Sequence, residues 1–367
     1  MTHTEACIAL NMIPQMGPVR LRKLLDVFGE PAHVLGAPRD RLAAVDGIGR
    51  ELAASLARWE DHVDLPSETA RMREANVSVV TEVDEAYPKL LRKIHDPPIV
   101  LYVWGELTAK DGHGFGIVGS RQVSHYGTEC AKKFGYQLAY AGLTIYSGLA
   151  RGIDTSAHLG ALAAKGRTVA VMGGGLSEIY PSENFELAQR IAAGNGALIS
   201  EFSMGVQPDR QTFPMRNRII SGASYGVLVV EAGSKSGALH SATFAAEQGR
   251  SVFAVPGPID RPGCHGSNRL IQQGAKLTVD ASDILDDLPG LFAPADLPPA
   301  SAPRPAPENL TPEERRVFGS IGDRETPIDV IIRQSGLPTG TVSSTLFALE
   351  LKRVVKQLPG KNFVRLS

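Results

Sequence analysis

Arg121, Arg151, Arg216 and Arg218 each follow or lie inside a short run rich in small residues, reading GSR, SGLARGID and FPMRNRIISG. A guanidinium presents paired N–H donors that match phosphate or carboxylate oxygens, and glycine and serine let the backbone approach an anion closely. Gly119, Ser120 and Arg121 therefore read as a phosphate seat, and the repetition of the same chemistry points to an extended anion. A lone loop arginine is more often solvated or ion-paired, and for Arg151 the nearby Asp154 is an available partner. Tyr180, after the GGG run at Gly173 to Gly175, and Phe213, before the Arg-Asn-Arg run, sit where rings suit stacking on bases beside a phosphate track. Core packing is the alternative for both rings.

Other chemistries find little support. His158 follows Asp154 by four residues on one helix face, a spacing that fits either an acid–base couple or a capping carboxylate with a structural histidine. Glu231, ending an expected strand, is the remaining catalytic carboxylate, but no nucleophile elbow, Walker A loop or HExxH run accompanies it. The GIVGSR turn lacks the third glycine of a dinucleotide fingerprint, and Ser147 and Gly148 stand where its acidic residue belongs. No cofactor is expected. Cys7, Cys130 and Cys264 are odd in number and far apart, so neither a disulfide framework nor a zinc site follows.

Apolar runs alternating with helical patterns must position these residues. Strands are expected at Phe115 to Val118, Leu143 to Tyr146, Thr168 to Met172, Ala197 to Ser200, Gly226 to Val230, Ser251 to Val255 and Lys276 to Val279. Helices are expected at Tyr126 to Tyr140, Asp154 to Ala164, Ser182 to Ala193, Ser236 to Gln248 and Ser267 to Gln273. That order predicts a doubly wound, mostly parallel α/β sheet whose carboxyl-end loops share one edge. FPMRNRIISG reads as one more loop at that edge. The Glu68 to Trp104 region reads as a helix and strands added at the sheet's side.

Residues 1–65 read as an all-α domain with two glycine-containing hairpins, each before an amphipathic helix. Such hairpins either take a DNA phosphate, as in helix-hairpin-helix turns, or merely pack. The Pro- and Ala-rich stretch 289–308 reads as a semi-rigid linker. Residues 309–367 read as three helices and a two-stranded wing, with a capping box at Thr311 and Glu314. The expected reading helix, Thr339 to Lys352, carries hydroxyls and no cation before Lys352, which argues against sequence-specific major-groove reading.

The 367 residues suggest two or three domains, and 43% hydrophobic with 21% charged residues is a globular composition. A formal net charge of −1 means that any nucleic-acid binding must come from local clusters. No membrane-spanning run or leader is apparent, and a cytoplasmic location is the expectation.

GSRxxSxYG at Gly119 to Gly127, SGLARGIDTSAH, GGGLSEIYPSEN, FPMRNRIISG and VVEAGSKSGAL, in that order, resemble the DprA/Smf family of DNA-processing proteins. The resemblance implies an extended Rossmann-like DNA-binding domain over 66–288, a helix-hairpin-helix or SAM-like N-terminal domain and a winged-helix tail. It implies a non-enzymatic mediator of transformation and recombination that binds and protects incoming single-stranded DNA, loads RecA and forms a homodimer; duplex binding is left open. Its phosphate pocket falls on Gly119, Ser120 and Arg121, with Arg216, Asn217 and Arg218 nearby. Many relatives carry lysine after the Tyr-Pro of the third-strand loop, whereas Ser182 and Glu183 follow Pro181 here, leaving Arg190 as a substitute. His240 stands where a hydroxyl residue is usual. The rival expectation is an enzyme resembling nucleoside-monophosphate phosphoribohydrolases, whose PGGxGTxxE loop is absent.

Overall fold

A computed structural model describes residues 1–288, 310–322, 325–358 and 360–366, so the expected linker and Pro359 at the tip of the wing lie outside the described residues. The chain forms two compact units, Met1–Leu297 and Pro298–Ser367.

The first unit begins with helices α1 (His3–Met12), α2 (Pro18–Phe28), α3 (Pro31–Leu35), α4 (Arg39–Ala43), α5 (Arg50–Ala57) and α6 (Leu65–Glu74). Thr2 and Glu5 close α1 with a reciprocal capping box. Gly17 and Gly49 stand at the N-caps of α2 and α5, and Gly47, at φ 80°, makes the sharp turn before α5. Leu10, Leu24 and Leu56 of these helices share one apolar core with Val100, Tyr102, Ala170 and Leu198 of the sheet.

That sheet has nine strands: β1 (Val77–Thr81), β2 (Val100–Gly105), β3 (Gly114–Gly119), β4 (Thr144–Ser147), β5 (Thr168–Val171), β6 (Gly196–Ser200), β7 (Ser224–Val230), β8 (Ser251–Ala254) and β9 (Lys276–Leu277). Its order is β1-β2-β6-β5-β4-β3-β7-β8-β9. The β1–β2 and β2–β6 pairs are antiparallel, and all others are parallel. Strands buried on both faces read as continuous apolar runs, which is why GFGIVG and TVAV were recognisable. Side chains alternate between the faces: Leu228 and Val230 meet α7 (His125–Tyr140) and α8 (Ile153–Ala163), while Val227 and Val229 face the opposite layer. That layer includes α10 (Thr212–Gly222) and α11 (Ala238–Glu247); α9 (Phe185–Ala192) packs in the core shared with the N-terminal helices, and α12 (His265–Gln272) and α13 (Ser282–Leu285) complete the unit.

One expectation fails here. FPMRNRIISG is not a loop but nearly the whole of α10. Pro214 falls in its first turn, where a missing N–H costs nothing.

The second unit packs α14 (Pro312–Gly319), α15 (Ile328–Ser335) and α16 (Thr339–Leu351) with the sheet β10 (Thr326–Pro327), β12 (Asn362–Arg365) and β11 (Val355–Leu358), in the order β10-β12-β11. It is a winged helix around Val317, Ile331, Leu346 and Phe363. The Thr311–Glu314 capping box forms as expected, and Glu314 also meets Lys352 Nζ at 2.7 Å. β10 is a third strand beyond the expected two. The outer side of α16 exposes Phe347 and Leu351.

Candidate nucleic-acid interface

Parallel pairing brings the carboxyl ends of β3, β4 and β5 together, and their loops close with α10 around a small cleft. Arg121, Gly148, Ala150, Arg151, Tyr180, Pro181, Phe213 and Arg216 line it. Five of the nine site residues expected from sequence therefore meet in one place. Gly119, Ser120, Asn217 and Arg218 are not among the lining residues.

The β3 loop is held from behind. Ser120 N–H donates to the Glu231 carbonyl at 2.8 Å, and the Ser120 hydroxyl donates to the Gln122 carbonyl at 2.6 Å. A side chain on Gly119 would collide with the Val230 carbonyl, so this glycine serves the β3–β7 junction. Arg121 points outward with its guanidinium 4.8 Å from the Phe213 ring centroid. That ring in turn lies 6.0 Å from Tyr180, and Tyr180 is 44% exposed. Arg121 has no carboxylate partner among the described residues.

Arg216 forms the floor. It is 4% exposed and donates from Nη1 to the carbonyls of Gly148, at 2.7 Å, and Val171. Gly148 must be glycine because a Cβ there would fall on the guanidinium. Asp154 faces Arg216 at 3.8 Å and accepts from the N–H groups of Gly148, at 3.1 Å, and Ala150, at 3.3 Å. Burial pushes the Arg216 guanidinium down to about 10, opposed by Asp154, so it stays cationic at neutral pH. Asp154 thus belongs to Arg216 rather than to Arg151. Arg151 pairs instead with Glu183, through Nε to Oε1 and through Nη2 to Oε2 at 2.7 Å.

The acid–base alternative for Asp154 and His158 also resolves. Thr168 spends its hydroxyl proton on the Ile145 carbonyl at 2.6 Å, so it accepts from His158 Nδ1 at 2.7 Å, which assigns the proton to Nδ1. His158 Nε2 is buried with no hydrogen-bond partner among the described residues. Burial, and then the Arg216 charge, hold this histidine down to about 3, so it is neutral and structural. Glu231 is likewise occupied: it accepts from the Ser124 hydroxyl at 2.7 Å and from Ser124 N–H at 3.2 Å at the start of α7.

Arg218 requires a correction. Residues two apart on a helix lie on nearly opposite sides, and Arg218 turns away from the cleft to Glu201, at 2.7 and 3.0 Å, and Asp96, at 2.8 Å. It is 6% exposed and each of its three guanidinium nitrogens is hydrogen-bonded. Asn217 is tied to its neighbours, accepting from Arg216 Nε at 2.9 Å and donating to the Gly237 carbonyl at 3.3 Å. Arg190 is exposed on α9 and does not line the cleft. Gly148, Ala150 and Pro181 were missed by sequence reasoning, although they adjoin residues it had singled out.

Elsewhere, a more open cleft among the N-terminal helices has mixed charge, with Lys23, Arg41, Asp26 and Asp46 around it and Lys23 bonded to Asp46 at 2.6 Å. Among the described residues, no helix is long and apolar enough to cross a membrane, and no cluster of His, Cys, Asp and Glu could hold a metal.

A doubly wound sheet with a cationic, aromatic cleft at its carboxyl edge, followed by a winged helix, defines the class. Residues 78–289 match the family model for DNA recombination-mediator protein A, and residues 300–361 match the DprA winged helix domain. The chain belongs to the DNA recombination-mediator protein A, or DprA, family. It is 42% identical to Protein Smf of Escherichia coli over 80% of this chain and 79% of that one. It is 44% identical to the DNA processing protein DprA of Bacillus subtilis over 61% and 76%, respectively. Its fold matches the X-ray structure of DNA processing protein A from Streptococcus pneumoniae with a TM-score of 0.66 and 33% identity, covering 78% of this chain and 98% of that one. The Helicobacter pylori DNA processing protein A, described as having a unique single-stranded DNA binding mode, matches with a TM-score of 0.53 and 28% identity over 59% and 97%.

Proposed function

We propose that this chain binds single-stranded DNA along the cleft at the carboxyl edge of its sheet and acts, without turnover, as a recombination mediator. The observation that carries the reading is the exposed Arg121 guanidinium over Phe213 with no carboxylate among the described residues to neutralise it. A cation beside two rings is what a strand of phosphates and bases needs. Family membership supports the reading, as does the strand binding ascribed to the Helicobacter pylori relative. In this reading residues 66–288 hold the strand, residues 1–65 and 309–367 are accessory domains joined in part by the 289–308 linker, and Gly119 and Ser120 shape the turn that presents Arg121. Protection of incoming strands, RecA as partner, a homodimer and a cytoplasmic location complete it.

The test is fluorescence-anisotropy titration of labelled single- and double-stranded oligonucleotides by the full chain across a salt series. Preferential binding of single strands that weakens steeply with salt supports the proposal. Equal or absent binding of single strands at low salt overturns it.

A further inference from the structure

We propose that Glu183 competes with the strand: it holds the Arg151 guanidinium until a phosphate displaces it, and so sets the affinity of the cleft. This inference rests on the reading above. Glu183 meets Arg151 with both carboxylate oxygens along one edge of the guanidinium, the fork by which arginine also takes phosphate. The carboxylate thus occupies the donors a strand would use.

Three arginines of this region are paired, and of their pairs among the described residues only Arg151–Glu183 leaves both partners half-exposed. Arg216 with Asp154 and Arg218 with Glu201 leave no side chain more than 9% exposed, so opening either would strand a buried charge. Arg151 and Glu183 are 54% and 50% exposed. A pair this wet is held by at most about fivefold, because water replaces either partner at little cost.

The loops on either side do not need to move. Asn184, next to Glu183, donates from Nδ2 to the Leu149 carbonyl at 2.7 Å and approaches the Thr155 hydroxyl at 2.9 Å. Those bonds tie the β5 loop to the β4 loop whether the ion pair is closed or open. Exchange therefore requires side-chain rotation alone, with Arg151 swinging toward the cleft it already lines.

The test uses the full chain, a labelled oligothymidylate and four proteins: unaltered, Glu183→Gln, Arg151→Gln and the double variant, with thermal melts to verify folding. The expected result is that Glu183→Gln tightens binding about two- to fivefold at low salt and that this gain disappears in the Arg151→Gln background. Unchanged or weaker binding by Glu183→Gln overturns the proposal. So does an equal gain in both backgrounds, which would mean that Glu183 only repels the strand through space. Arg121→Ala separates this inference from the reading beneath it. If Arg121→Ala weakens binding while Glu183→Gln gains nothing, the competitor falls and the cleft stands; if neither variant alters binding, both fall.

Discussion

Arg121→Ala is the most direct test of the cleft. The side chain is exposed, has no carboxylate partner among the described residues, and lies over the Phe213 ring, 4.8 Å from its centroid. An exposed cation–π contact is worth ~0.5–1 kcal/mol, so the variant should fold normally and lose little stability. A charge-assisted hydrogen bond to a phosphate is worth ~1.5–3 kcal/mol. Since ~1.4 kcal/mol is tenfold, single-strand affinity should fall by about 10- to 150-fold. One lost phosphate contact should also flatten the slope of log K against log salt by about 0.7. Anisotropy titrations of an oligothymidylate between low and moderate salt, with thermal melts of both proteins, read all three quantities. Affinity within twofold of the unaltered chain, with the same slope and an intact melt, would refute the assignment of Arg121 to the strand.

Other outcomes follow from the buried charges and the two-unit architecture. Replacing Arg218 with Met should destabilise the fold by ~3–5 kcal/mol in urea denaturation, because Glu201 is left buried without its cation; an unchanged midpoint would contradict the pairing. His158 should make stability rise with pH. It is held at about 3 when folded against an ordinary 6.5. The unfolded chain therefore takes up a proton first, stability is full above 6.5, and it falls by ~1.4 kcal/mol per unit as pH drops from there toward 3. Urea titrations between pH 7 and 5 should show that slope, and His158→Asn should flatten it. A chain ending at Leu288 should keep its single-strand affinity within about twofold in the same anisotropy assay; a larger loss would place binding residues in the winged helix.

Much of this architecture was legible because the relevant signals are local. The parallel strands announce themselves as short apolar runs ending in small residues, and the Thr311–Glu314 capping box marks its helix start within four residues. α10 was misread because Pro214 and the polar Arg-Asn-Arg run look like a loop. A start signal was present: Asp209 Oδ1 accepts from Thr212 N–H at 2.8 Å while the Thr212 hydroxyl accepts from Asp209 N–H at 2.9 Å, a reciprocal arrangement just ahead of the helix. With the helix missed, the opposite directions of Arg216 and Arg218 were invisible. The pairings themselves were beyond reach, since Asp96 lies 122 residues from Arg218 and only the completed sheet brings them together. Asp154 illustrates the same limit: its nearest arginine in sequence is Arg151, yet the fold gives it Arg216. The third tail strand, β10, is two residues long and has no pattern to read.

The ion pairing around the cleft has a kinetic side. Of the three arginines lining it, Arg216 faces Asp154 and Arg151 is held by Glu183, which leaves Arg121 as the cation that a distant strand senses. The molecule's formal charge of −1 adds no long-range pull. Without a strong field, encounter with a strand should proceed at the unsteered rate of about 10⁵–10⁶ M⁻¹s⁻¹ and change little with salt. Under the two proposals above, the salt dependence would then reside in how long a strand stays, because the second cation would be uncovered only by contact. On that proposal, such a surface would ignore nucleic acid passing at a distance and grip what already touches it.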